Sequence, residues 1–216
     1  MLKIQTIFYD SINWIEGVCA IVALVYYNRL KSSYWKWFVF YLVFIFGVEL
    51  FSKLVLQYFP DKRKYFFDFL VIPIEFLFLY WLYAMKSLKV VKLFRASCII
   101  YLAFYILHLF NLDNVRSISS MSYTVGVFLL AIMVYLEFIK QIKSDEILNF
   151  KTNKMFYINT GVILFYIGTL PFFAFDKVLY EHNKEIWNNY FTFFLFSVNV
   201  MYLLFTASFI WGKPKS

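Results

Sequence analysis

Eight ionisable side chains sit where an ionisable side chain is costly: Asp10, Glu16, Glu49, Lys53, Asp68, Glu75, His108 and Glu137 fall within long apolar stretches of the 216-residue chain. A charge inside a bilayer costs roughly 2.5–3.5 kcal/mol on insertion scales, and such groups usually face a bundle interior or a water-filled cavity. Their chemistry there is to hold a ligand, pair with one another, or pass ions or protons. Glu49 and Lys53 are spaced i, i+4, which allows an intrahelical ion pair. Asp68 and Glu75, at i, i+7, are expected to share a helix face, and Asp10, Asn13 and Glu16 to step along another. Glu16, Glu49 and Glu75 are the deepest carboxylates. With Lys53, Asp68 and His108 they make up the candidate ligand-binding or ion-path set.

Pro73 stands two residues before Glu75 and has no N–H to give the carbonyl of Phe69. A kink is expected there, with a free carbonyl near a carboxylate, as in the broken helices of transporters. Pro171 is expected to do the same to the carbonyl of Ile167. His108 titrates near neutral pH, but no second His stands at ligand spacing and His182 is placed in a loop. No metal site and no cofactor is therefore expected. Asn159, Asn188, Asn189 and Asn199 are expected to make interhelical hydrogen bonds, and Gly161 and Gly168 to permit close helix packing.

The chain that must position these groups is 62% hydrophobic and 16% charged, against roughly 45–50% and about 25% in soluble domains. Its mean hydropathy is +0.67. Apolar runs near the length that crosses a bilayer, about 20 residues, recur at 7–28, 37–58, 65–85, 93–112, 118–139, 155–175 and 186–210. They are too continuous for barrel strands. The fold expected is all-α, a transmembrane bundle of about seven helices forming one domain over residues 1–216. The opening Met1–Gln5 lacks the pattern of a cleavable signal, so the first span reads as retained.

Lys and Arg number thirteen on one set of connectors and their flanking helix ends, including Arg29, Lys86, Lys140, Lys154 and Lys213, and seven on the other, including Lys62, Arg63, Lys177 and Lys184. The excess places the first set in the cytoplasm, with the N-terminus outside and the C-terminus inside. Seven of the ionisable residues then lie in the outer half or near mid-membrane, and only Glu137 near the cytoplasmic end. That predicts a polar cavity open to the outside and lined mainly by the first four helices. Tyr34, Trp35, Trp37, Trp187 and Trp211 read as interfacial anchors. The net charge of +8 is spread over connectors, which fits contact with anionic lipid and not with nucleic acid. Cys19 and Cys98 fall inside spans and are not placed to bridge loops.

Pro73-Ile74-Glu75-Phe76-Leu77-Phe78 resembles the proline–glutamate motif of membrane carotenoid cyclases, with Phe76 where that motif has a second acidic residue. No counterpart recurs in the second half. Three segments, Asp68 to Tyr80, Phe156 to Phe175 with Asn159-Thr160-Gly161, and Asn199 to Trp211, resemble a family of small bacterial seven-helix membrane proteins. That resemblance implies the architecture and the bacterial cytoplasmic membrane, and brings no activity with it. The last span lacks the lysine of retinal proteins, and zinc-protease, nucleophile-elbow and phosphate-loop motifs are absent.

Three classes of function remain. The first expectation is a sensory or signalling module that binds a small or lipid-like molecule in the outer cavity and passes a helix shift to a separate cytoplasmic partner. The second is a channel, transporter or membrane-permeabilising effector with Glu16, Glu49 and Glu75 along the path. The third is an intramembrane lipid-modifying enzyme using paired carboxylates. No catalytic residue is assigned, the partners expected are the lipid bilayer and a cytoplasmic signalling protein, and oligomeric state is left open.

Overall fold

The computed structural model describes residues 2–110, 115–144 and 146–213, with side chains for all of these except residues 60, 61, 64, 108–110, 115–120, 146 and 177. Among the described residues the chain is helical, and its one β feature is an isolated parallel bridge between Asn153 and Lys213. The α-helices are α1 (Lys3–Val25), α2 (Tyr27–Leu30), α3 (Trp35–Leu54), α4 (Pro60–Phe66), α5 (Ile72–Tyr80), α6 (Val91–Phe110), α7 (Val115–Lys143), α8 (Lys154–Val162), α9 (Leu170–His182) and α10 (Lys184–Ile210). Wider π turns occupy Phe67–Val71, Trp81–Ser87 and Ile163–Ile167. Two of the three stand just ahead of a helix opened by proline, at Pro73 and Pro171. That is where the loss of one backbone donor makes the α-helical ladder easiest to break.

Six segments are each long and apolar enough to cross a membrane: Lys3–Val25, Trp35–Leu54, Phe67–Ser87, Met121–Lys143, Lys154–Asp176 and Lys184–Ile210. The exposed faces carry large apolar side chains, among them Trp14, Ile21, Val25, Leu107 and Phe128. A surface this apolar suits lipid and not water. The remaining expected span, 93–112, corresponds to α6 and runs at its end into residues outside those described.

The chain forms two compact units, Met1–Phe59 with Ser144–Ser216, and Pro60–Lys143. In the first, α1 packs on α3 and α10, and α8 and α9 pack on α10. The contacts fix the directions of these helices. Along α1 and α10 the partner numbers rise together, Gln5 with Thr192, Ser11 with Asn199 and Cys19 with Thr206, so the first and last helices are parallel. Lys154 meets Ser208, Gly161 meets Met201 and Phe172 meets Phe194, so α8 and α9 run antiparallel to α10. Both Gly161 and Gly168 lie against α10 side chains, the close approach expected of them.

In the second unit, Phe69 pairs with Tyr105 and Tyr80 with Tyr101, so α6 lies antiparallel to the α5 segment. Phe76 meets Tyr123, Tyr80 meets Gly126 and Ser87 meets Glu137, so α7 runs parallel to it. The rings of Phe76, Tyr80 and Tyr101 are fully buried and pack on one another.

Three expectations need correcting. His182 is not in a loop. The helix of the sixth span continues as α9 to His182, and Asn183 alone separates it from α10, its side chain accepting from the Ile186 N–H at 3.1 Å. A capping Asn can end one helix and start the next within one residue. Trp35 is not an interfacial anchor, because it is buried with its ring beside the Lys154 ammonium; Trp37 and Trp211 are the exposed ones. Asp10 and Glu16 do not share a buried face. Glu16 is buried with Gly17, Cys19 and Ala20, whereas Asp10 is exposed, since six residues along a helix is well off a whole number of turns.

Candidate functional site

The six candidate residues divide between the units. Glu16, Glu49 and Lys53 belong to the first; Asp68, Glu75 and His108 belong to the second. Among those whose side chains are described, Glu16 is the most enclosed, at 4% exposure, near Cys19, whose thiol hydrogen-bonds the Thr206 side chain. Glu49 is half-buried and Lys53 exposed. Asp68 and Glu75 are both half-buried, but Asp68 lies in the first π turn. The wider winding there shifts the register of a seven-residue spacing. The side chain of His108 lies outside those described.

The carbonyl freed by Pro73 is where the sequence places it, and it has a partner. The Tyr105 hydroxyl of α6 donates to the Phe69 carbonyl oxygen at 2.9 Å. Glu75 is close enough to the buried Tyr101 to act on its hydroxyl electrostatically. Aromatic hydroxyls of α6 therefore line the same stretch of helix as the two carboxylates.

Among the described residues a further polar cluster surrounds Glu137, the acid placed apart from the others near the cytoplasmic end. Its carboxylate is 1% exposed. Ser87 Oγ donates to Oε2 at 2.7 Å, Gln141 Nε2 donates to Oε1 at 3.2 Å, and Lys140 Nζ lies 3.5 Å from Oε1. The same ammonium donates to the Ser87 carbonyl at 2.9 Å and to Ser87 Oγ at 3.0 Å. Ser87 closes the second π turn, whose end is fixed by the Leu88 N–H on the Tyr83 carbonyl at 2.8 Å and by Lys89 in the left-handed region at φ 59°. Tyr83, from the same turn, is fully buried, lies within electrostatic reach of Glu137, and its hydroxyl has no hydrogen-bond partner among the described residues. The buried Gln141 Oε1 is likewise without one. The i, i+4 spacing of Glu137 and Gln141 was visible in the sequence; Tyr83 and Ser87 were not, because a π turn of the preceding apolar helix brings them there.

In the first unit the polar groups form a ladder between α1 and α10. Gln5 Nε2 donates to Thr192 Oγ1 at 3.1 Å and to the Asn188 carbonyl at 3.2 Å. Ser11 donates to Asn199 Oδ1 at 2.9 Å, and Asn199 Nδ2 donates to the Phe8 carbonyl at 3.1 Å. Asn199 thus does what was expected of it, the Asn188 side chain accepts from Gln5 Nε2 only at 3.5 Å, Asn189 is exposed, and Asn159, fully buried, has no partner among the described residues. Such bonds average about 0.6 kcal/mol in membrane bundles, enough together to set which faces of α1 and α10 meet. At the other end, Lys154 is buried, donating to the Ser208 carbonyl at 2.8 Å with the Phe209 and Trp35 rings 5.0 and 5.8 Å away. An ammonium at the last carbonyls of α10 opposes that helix's negative end. No family model matches the chain, and no curated protein or solved structure is significantly similar to it.

Proposed function

We propose that the protein is a seven-span integral protein of the bacterial cytoplasmic membrane, N-terminus outside and C-terminus inside. In this reading it is a sensory module that binds a small or lipid-like molecule near Asp68 and Glu75 and passes a helix shift to a cytoplasmic partner. The seven-span reading draws support from helix directions. The parallel pairing of α5 with α7 requires one crossing between them, and α6, antiparallel to α5, is the segment that supplies it. Parallel first and last helices likewise require an odd number of crossings.

The observation that carries the signalling reading is the construction of the third span. Glu75 lies on an α-helical piece, Ile72–Tyr80, with a π turn on either side, Phe67–Val71 and Trp81–Ser87. A π turn holds one residue more than an α turn, and relocating it moves the residues between by one position, about 1.5 Å along the axis and about 100° around it. Asp68 lies in one such turn and Ser87, bonded to Glu137 and Lys140, ends the other. A ligand that favours one placement of the extra residue would alter the grip of Ser87 at the far end.

Purified protein in dye-loaded liposomes tests this against transport. The sensory reading expects proton and ion flux no greater than in protein-free vesicles. Flux that Glu75→Gln abolishes would replace it with a conduction role. For Glu75 itself, Glu75→Gln in folded protein should remove the cellular phenotype; full stability with full phenotype would rule out an ionised functional role.

A further inference from the structure

We propose that the cluster of Tyr83, Ser87, Glu137 and Gln141 is a binding site for a monovalent metal cation, which exchanges there with the ammonium of Lys140. The proposal does not depend on the sensory reading. Its ligand set is made of oxygens on two helical pairs spaced i, i+4: Tyr83 Oη and Ser87 Oγ from the second π turn, Glu137 Oε and Gln141 Oε1 from α7. The Ser87 carbonyl, already turned toward the ammonium at 2.9 Å, adds a fifth. Oxygen sets of this kind, one carboxylate with neutral hydroxyl, amide and carbonyl oxygens, suit hard cations, and irregular helix turns supply them at membrane ion sites.

Two features support a cation at these oxygens. Tyr83 Oη and Gln141 Oε1 are fully enclosed and have no hydrogen-bond partner among the described residues. Unpartnered oxygens in an enclosed apolar place are costly and point to a missing ligand. A cation is also already held here, since Lys140 Nζ lies 2.9, 3.0 and 3.5 Å from Ser87 O, Ser87 Oγ and Glu137 Oε1. An anion would be repelled by Glu137. The one carboxylate of the set, Glu137, balances one positive charge, which matches a monovalent ion better than a divalent one. The Lys140 side chain is 38% exposed, so it has a route out to solvent, whereas Glu137 at 1% has none. When the ammonium leaves, the buried carboxylate needs another positive charge.

The test uses the full chain in nanodiscs, in NaCl, KCl or N-methylglucamine chloride at equal ionic strength. Lys140→Met removes the competing ammonium, and should bind radiolabelled sodium at least about tenfold more tightly than the wild type, with its thermal midpoint raised by Na+ or K+ but not by the bulky organic cation. Glu137→Gln in the Lys140→Met background should lose both effects, and Tyr83→Phe should weaken sodium binding while leaving the protein folded. If Lys140→Met folds only in Na+ or K+, the site is supported. If it fails to fold in all three salts, or shows equal midpoints in all three and no sodium binding, the cluster holds water only and the proposal is overturned.

Discussion

Replacing Tyr105 by Phe deletes one hydroxyl and keeps the ring, which stacks on Tyr101 at 6.5 Å between centroids. What is lost is the 2.9 Å bond to the Phe69 carbonyl, the group to which Pro73 has no N–H to give. Leaving a buried carbonyl short of a donor costs about 1–3 kcal/mol, and interhelical bonds in membranes average about 0.6 with a maximum near 1.7. Tyr105 is half-buried, which sets the expectation at about 1 kcal/mol. Pro73→Ala restores a backbone N–H four residues beyond Phe69, the position of an α-helical donor to its carbonyl. In that background Tyr105→Phe should cost less than about 0.5 kcal/mol, a coupling measurable as a double-mutant cycle. The readout is unfolding of the purified variants in mixed micelles of increasing denaturing-detergent fraction. Equal cost of Tyr105→Phe in both backgrounds would refute the idea that Tyr105 substitutes for the donor that Pro73 lacks.

An alanine Cβ at Gly126 would stand 2.8 Å from the Phe76 ring, which is fully buried; Gly126→Ala should therefore destabilise by about 1–3 kcal/mol despite its better helix propensity, as detergent unfolding would register. Asn183→Ala removes the cap of α10 and should cost about 1 kcal/mol, with Asn183→Ser close to neutral by the same assay. Lys154→Met removes the donor to the buried Ser208 carbonyl and should lower the thermal midpoint, with Lys154→Arg intermediate because its wider head group does not fit between Trp35 and Phe209. A reporter fused after Ser216 should be active only in the cytoplasm and one inserted between Asp61 and Lys64 only outside; both on one side would overturn the seven-span reading.

The long helices were legible because apolar runs of bilayer length have few alternatives in lipid, where backbone groups must bond within their own segment. The break at Pro73 was legible for an equally local reason, the missing N–H. Its partner was not, since Tyr105 lies 36 residues away and looks in sequence like any other aromatic of its helix. The π turns were hidden because Phe67–Val71 and Trp81–Ser87 contain the same apolar residue types as the α-helix between them. Only the geometry of winding sets them apart, and with it the convergence of Tyr83 and Ser87 on Glu137. The place of Lys154 at the start of a helix was legible from its charge, but its partners were not, because the Ser208 carbonyl and the Trp35 and Phe209 rings come from helices distant in sequence.

The pairing of α1 with α10 sets a waiting time. Gln5 cannot reach Asn188, 183 positions further along, until the chain between them has been made, which at about 5–20 residues per second is on the order of 10–40 s. Meanwhile the polar side chains of α1 that bond to α10, Gln5 and Ser11, enter the bilayer without the helix that shares their hydrogen bonds. The segment Pro60–Lys143, continuous in sequence, has no such delay and is free to pack as it emerges. Cells short of insertase or membrane chaperone capacity should therefore lose this protein at the stage when α1 is in the membrane and α10 is still on the ribosome, and a stalled chain ending before residue 184 should be the form that is degraded fastest.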